Sequence, residues 1–121
     1  MLIGIDHIVL QVADAERSLA WYVELFGVEP IRVEEWRAGT VPFVSLRVND
    51  GFIIDLVEQV PAGRNIDHFA LVCDREFFDQ FVRVRRDIID TGPLSLFGAR
   101  GQGEGIYLSD PDGHKIELRT Y

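Results

Sequence analysis

A chain of 121 residues, 47% hydrophobic and 26% charged, has the composition of an ordinary globular domain and the length of one. Its net charge of -8 repels phosphate backbones and anionic lipid, which excludes nucleic acid and membrane surfaces as expected partners. No apolar run approaches the roughly 18 residues of a membrane span, and the opening Met1-Leu2-Ile3-Gly4-Ile5-Asp6 lacks a basic region and a cleavage site, so a cytoplasmic protein is expected.

A chain of this size removes roughly two-thirds of its unfolded surface from water, enough for a core without disulfides or a structural metal. Any metal is then expected to be functional.

The first predicted element is a strand over residues 3–12. Strand alternation places His7 with Ile5 and Val9, and turns Ile8, Leu10 and Val12 the other way, toward a helix. That helix starts at the N-cap Asp14, carries Leu19, Tyr22, Val23 and Phe26 at helical spacing, and stops at Gly27. Two or three strands follow, with an Asn49-Asp50-Gly51 turn before a last strand in which Asp55 shares a face with Ile53 and Val57. Glu58 and Gln59 at its end are expected to be solvated, and Pro61-Ala62-Gly63-Arg64-Asn65 reads as a linker.

The order then repeats. A strand over 66–73 sets His68 with Ile66 and Ala70, opposite Phe69, Leu71 and Cys73, the last read as a small buried thiol. A second helix starts after Asp74, carries Phe77, Phe78, Phe81, Arg85, Ile88 and Ile89, and is expected to run to Gly92-Pro93, with Arg83, Arg85 and Arg86 on a solvated face. Leu94 to Gly105, with Phe97, Arg100 and four glycines, is either a mobile lid or an exposed turn. Asp110-Pro111-Asp112-Gly113 turns the chain into a final strand where Glu117 shares a face with Arg119 and Tyr121.

The repetition is literal at three places. Asp6-His7-Ile8-Val9-Leu10 recurs as Asp67-His68-Phe69-Ala70-Leu71 at an offset of 61, and Asp50-Gly51 and Ile54-Asp55-Leu56 recur as Asp112-Gly113 and Ile116-Glu117-Leu118 at 62. The expected fold is therefore α+β: one domain of two βαβββ repeats, 1–60 and 66–121, forming a curved mixed or antiparallel sheet with helices on its outer face. A carboxylate in mid-strand is disfavoured and costs several kcal/mol to bury unpaired, so Asp55 and Glu117 need partners. A lone strand histidine is usually an ordinary polar residue, and Asp6 and Asp67 could simply cap turns. Four polar positions in repeat register set a shared cation on an equal footing with that reading, and imidazole with carboxylate suits Zn, Ni, Mn, Co or Fe(II).

At this point the chain resembles the vicinal oxygen chelate superfamily, which includes glyoxalase I, extradiol dioxygenases, fosfomycin-resistance enzymes and bleomycin-resistance proteins. The resemblance spans the whole length. It is carried most specifically by Ile5-Asp6-His7-Ile8-Val9-Leu10, by Trp21-Tyr22-Val23-Glu24-Leu25-Phe26-Gly27, and by the run from Tyr107 to Leu118. It implies His7, His68 and Glu117 as metal ligands, with Asp55 as a fourth. Asp55 is one methylene shorter than the usual glutamate, which points to contact through water. The resemblance also implies Val9, Tyr107, Arg119 and Tyr121 as substrate neighbours. Tyr107 matches a substrate-contacting tyrosine of the fosfomycin-resistance relatives, and Val9 stands where those relatives carry a threonine, which argues against their thiol transfer. Arg119 either pairs with an anionic substrate group or neutralises Glu117. His114, outside the repeated positions, reads as structural.

The function so implied is an isomerase or lyase acting on a small oxygen-chelating molecule through a metal-stabilised enediolate, with Asp55 and then Glu117 as the proton-moving carboxylates. One alternative is an extradiol-type Fe(II) dioxygenase with Asp55 outside the ligand set. Another is a metal-free drug-binding module like the bleomycin-resistance proteins, against which the joint presence of His7, His68 and Glu117 argues. The resemblance further implies a homodimer, its sites either closed within one chain or shared between two.

Overall fold

The computed structural model describes Met1 and residues 5–63, 66–98 and 100–121. Parts of the expected first strand, linker and glycine-rich segment (residues 3, 4, 64, 65 and 99) lie outside the described residues. The chain divides into two units, Met1–Gly63 and Arg64–Tyr121.

The first unit contains β1 (His7–Val12), α1 (Ala15–Phe26), β2 (Glu29–Ile31), α2 (Val33–Arg37), β3 (Val44–Asn49) and β4 (Phe52–Glu58). Its sheet has the order β1-β4-β3-β2, with β1 parallel to β4 and the other pairs antiparallel. The parallel pair needs a crossover, which α1 and the following strands supply. Asp14 caps α1 by accepting the Arg17 N–H at 3.0 Å, and Gly27, at φ 63°, ends it with its N–H on the Val23 carbonyl. Glu58 also accepts the Ala15 N–H at 3.1 Å. The strand-end carboxylate expected to be merely solvated thus holds a free donor of the first helical turn, where a negative charge is favoured.

Ala15, Ser18, Leu19, Tyr22 and Leu25 make one buried stripe on α1, and Leu10, Val12, Val44, Leu46, Ile54 and Leu56 are buried on the sheet. Each such large apolar side chain contributes about 1.5–3 kcal/mol on leaving water. The opposite face of β1 stays open: His7, Val9 and Gln11 are exposed. The alternation read from the sequence therefore places the histidine as expected, away from the helix.

The second unit repeats the plan with β5 (Phe69–Val72), α3 (Arg75–Val84), β6 (Thr91–Gly98), β7 (Gly101–Ser109) and β8 (Lys115–Thr120), in the order β5-β8-β7-β6. Asp74 caps α3 at the Phe77 N–H, 2.8 Å away. Phe78 and Phe81 are buried on the helix, with Leu71, Ile106, Leu108, Ile116 and Leu118 buried on the strands. Two mixed α+β sheets of four strands, each with a helix on one face, are what the repeat implied.

Two expectations need correction. Helix α3 stops at Val84 rather than at Gly92-Pro93; a 3-10 turn over Arg86–Ile88 follows, and Gly92-Pro93 lie inside β6. Beyond Phe81 the helical pattern buries no side chain, and the Asp90 N–H is taken by the Tyr107 carbonyl at 2.8 Å, which recruits the chain into the sheet. The glycine-rich run Leu94 to Gly105, expected as a lid or an exposed turn, mostly belongs to the paired strands β6 and β7. The short helix α2 carries no buried residue and had no apolar period to reveal it.

Candidate functional site

In the first unit, parallel pairing sets Val9 beside Asp55 and His7 beside Ile53, so the histidine and the carboxylate lie on the same open sheet face. The His7 ring meets the Asp6 carboxylate through Nδ1 at 2.7 Å, which leaves Nε2 for other partners. That hydrogen bond raises the His7 pKa above its ordinary value, and the Asp55 charge pushes the same way. Asp55 is buried, and its Oδ1 accepts the Ser45 hydroxyl at 2.6 Å. Arg32 also donates to Ser45 Oγ through Nη2 and stands 3.7 Å from the same Asp55 oxygen.

The second unit presents the matching positions differently. Glu117 pairs with Ala70 on one side and with Tyr107 on the other. His68 meets Asp67 through Nδ1 at 2.6 Å, and its Nε2 faces Glu117 Oε2 at 3.2 Å. Glu117 Oε1 accepts from Arg119 Nη1 at 2.6 Å, and both side chains are buried. Tyr107, whose face was ambiguous from sequence, stands edge-on to the His68 ring with centroids 5.5 Å apart. Burial, then the Glu117 charge, raises the Tyr107 pKa and keeps the phenol protonated.

Arg119 neutralises Glu117, one of its two expected roles. Its Nη2 donates to the Leu96 carbonyl at 2.9 Å, and its guanidinium lies 4.7 Å from the centre of the Tyr121 ring. Nε is buried without a hydrogen-bond partner. Glycines of β6 and β7 make room for this group: a Cβ on Gly98 would sit 2.3 Å from Arg119 Nη1, and one on Gly105 would sit 3.0 Å from Glu117 Oε1. Any other residue would displace the ion pair.

One donor pair of the second unit has the spacing of two ligands on a common divalent cation. Two ligands about 2.0–2.2 Å from one metal are separated by roughly 3.0–3.5 Å, depending on the angle between them, and His68 Nε2 and Glu117 Oε2 are 3.2 Å apart. Asp67 fixes the ring by its other nitrogen, the usual way a ligating imidazole is oriented. Asp6 does the same for His7. These aspartates hold the rings rather than cap turns. Among the described residues, neither unit brings three His, Cys, Asp or Glu side chains to one point.

The other expected site residues are also accounted for. Val9 is half exposed next to Asp55. Tyr121, half exposed, accepts the Arg100 N–H at 3.2 Å through its hydroxyl. His114 is tied to Asp110 at 2.7 Å, and Asp110 also accepts the N–H groups of Asp112 and His114, so this histidine fastens the β7–β8 turn.

Ser45 and Arg32 were not foreseen. Ser45 could have been found, because it stands at the offset of 62 from Tyr107 and pairs with Asp55 as Tyr107 pairs with Glu117. Arg32 could not: the same offset leads to Leu94.

A family model described as Glyoxalase/Bleomycin resistance protein/Dioxygenase superfamily matches residues 4–118. A probable lactoylglutathione lyase of Synechocystis is 27% identical, the match covering 93% of this chain and 91% of that protein. The metallothiol transferase FosB of Shouchella clausii is also 27% identical, with 99% and 82% covered. A glyoxalase/dioxygenase from Nostoc punctiforme, known from its crystal structure, is 26% identical with a TM-score of 0.76, over 97% of this chain and 90% of that one. With the duplicated sheet and almost its whole length matched, the chain belongs to the glyoxalase, bleomycin-resistance and dioxygenase superfamily.

Proposed function

We propose that this protein is a metal-dependent isomerase or lyase acting on a small molecule that offers two neighbouring oxygens. The observation that carries this reading is the 3.2 Å approach of His68 Nε2 to Glu117 Oε2, with the ring held from behind by Asp67 and the same aspartate–histidine pair repeated at Asp6 and His7. His7, His68 and Glu117 would hold the cation, with Asp55 as a fourth ligand or a neighbour acting through water. A cation so held supplies a Lewis acid for the paired substrate oxygens.

The chain's own groups do the rest. Asp55 Oδ1 is occupied by Ser45 while no described residue is hydrogen-bonded to Oδ2, so Oδ2 is the atom to take and return the proton. Glu117 is the second candidate, through the oxygen not bound by Arg119. Tyr107, kept protonated, and Tyr121 would contact substrate, and half-exposed Val9 would give it an apolar wall.

An Fe(II) dioxygenase is the second reading, favoured by one observation: Asp55 is engaged by Ser45 and Arg32, as a carboxylate outside a two-histidine, one-glutamate ligand set would be. Metal content of protein purified without chelators, followed by turnover with the metal exchanged, separates the two. Zinc or nickel supporting turnover, assayed first on lactoylglutathione after the lyase relative, is the expected result. Strict dependence on iron and oxygen would favour the second reading. Bound metal equal in wild type and His68→Ala would overturn both.

A further inference from the structure

We infer that Arg32 is a recognition residue for an anionic oxygen group, a carboxylate or phosphonate, on the small molecule this protein binds. The inference rests on the proposed function for the idea that the open sheet face receives a substrate, and it names the chemical class of that substrate.

The starting point is a difference between the two units. Each has a buried mid-strand carboxylate compensated by an arginine. In the second unit the arginine is Arg119, two residues along the same strand, buried and engaged with Glu117, Leu96 and Tyr121. Its one unpartnered nitrogen, Nε, is buried. In the first unit the position two beyond Asp55 is Val57, and the compensating charge comes from Arg32, outside the repeat pattern, between β2 and α2.

Neutralising Asp55 does not require that construction, since the second unit achieves the same effect from within its strand. Arg32 is held in the left-handed region at φ 61°, the only non-glycine residue there among those described. That conformation is unfavourable for a side chain with a Cβ, and such residues concentrate at ligand clamps and active sites. Here it directs the side chain to the sheet. Nη2 donates to Ser45 beside Asp55, and the guanidinium stands 5.7 Å from the centre of the Phe43 ring.

The guanidinium is thus fixed through one nitrogen and one ring contact, and its side chain is 38% exposed. No described residue is hydrogen-bonded to its Nε or Nη1. Nη2 carries two hydrogens, and the one not donated to Ser45 runs parallel to Nε–H or to an Nη1–H, so one planar fork remains to match a carboxylate or phosphonate with two parallel hydrogen bonds. The fork belongs to a side chain anchored at Ser45 and Asp55, on the sheet face that carries His7. On a chain of net charge -8, an anionic ligand needs such a local cation.

The test follows the arginine Nε–Hε resonances of the full chain by NMR during titration with benzoate and, separately, methylphosphonate. The wild type should show saturable movement of the Arg32 resonance with at least one of the two, and whichever binds more tightly identifies the group. Arg32→Gly tolerates the left-handed backbone and so keeps the fold, and it should weaken binding at least tenfold. Arg32→Lys keeps the charge without the fork and should recover only part of the affinity. Arg37→Gln, which removes a surface arginine paired with Glu16 and Glu34, should bind the probe as wild type does. Equal affinity in wild type and Arg32→Gly, or no saturable movement with either probe, overturns the inference. Bound metal equal in wild type and His68→Ala, with the Arg32 titration intact, would remove the metal reading and leave this one standing.

Discussion

Glu117 and Arg119 are joined by a 2.6 Å hydrogen bond between Oε1 and Nη1 that neither side chain can share with solvent, since both are buried. The pair divides the carboxylate: one oxygen answers the arginine, the other faces His68. A buried ion pair of this kind adds little net stability compared with apolar replacements, but removing one partner strands the other.

Arg119→Met should therefore destabilise the protein by about 3–5 kcal/mol, because it leaves a buried, uncompensated carboxylate. The double variant Arg119→Met, Glu117→Gln should recover a large part of that loss. Urea unfolding midpoints of the two variants and the wild type check this, and a double variant no more stable than the single one would show that the ion pair is not the cause.

Cys73 should be a poor nucleophile. Burial disfavours its thiolate and, aided by the charge of Asp74, pushes the thiol up to about 11, while Sγ lies 3.6 Å from the Arg119 carbonyl. The rate of alkylation by iodoacetamide should stay far below that of a free thiol at pH 7.5 and climb steeply only well above pH 9. A reaction already at its plateau at pH 8 would contradict the assignment.

Stability should fall at the acid end partly through Asp90. The Lys115 ammonium, 2.6 Å away, and the Ser109 hydroxyl lower its pKa, so folding is favoured above the ordinary carboxylate pKa and that contribution disappears as the pH drops through the lowered value. Because Asp90 is more than a third exposed, the effect is small, about 0.2–1 kcal/mol. Asp90→Asn should be less stable than wild type at pH 7 and converge with it near pH 2 in thermal melts; a constant difference across that range would exclude the ionic origin.

Much of this protein was legible from its residues because strand alternation and a literal repeat are local properties. His7 and His68 fall opposite the helix-packing residues Leu10, Val12 and Leu71 by period alone, and Asp14 and Gly27 mark helix α1 by their own backbone chemistry. Where a local pattern was absent or misleading, expectation failed: α2 buries nothing, and α3 ended early because a sheet hydrogen bond to Asp90 outweighed a plausible helical spacing.

The sequence by itself determined the duplicated plan, the helix-facing core and the sheet face on which each histidine and carboxylate would stand. Only the tertiary structure decided how each carboxylate is satisfied. Asp55 turns to Ser45 and Arg32, while Glu117 divides itself between Arg119 and His68. The reason is physical: a side chain's face follows from its own strand, but its partner depends on the register between strands and on segments such as the one carrying Arg32, whose placement no periodicity encodes.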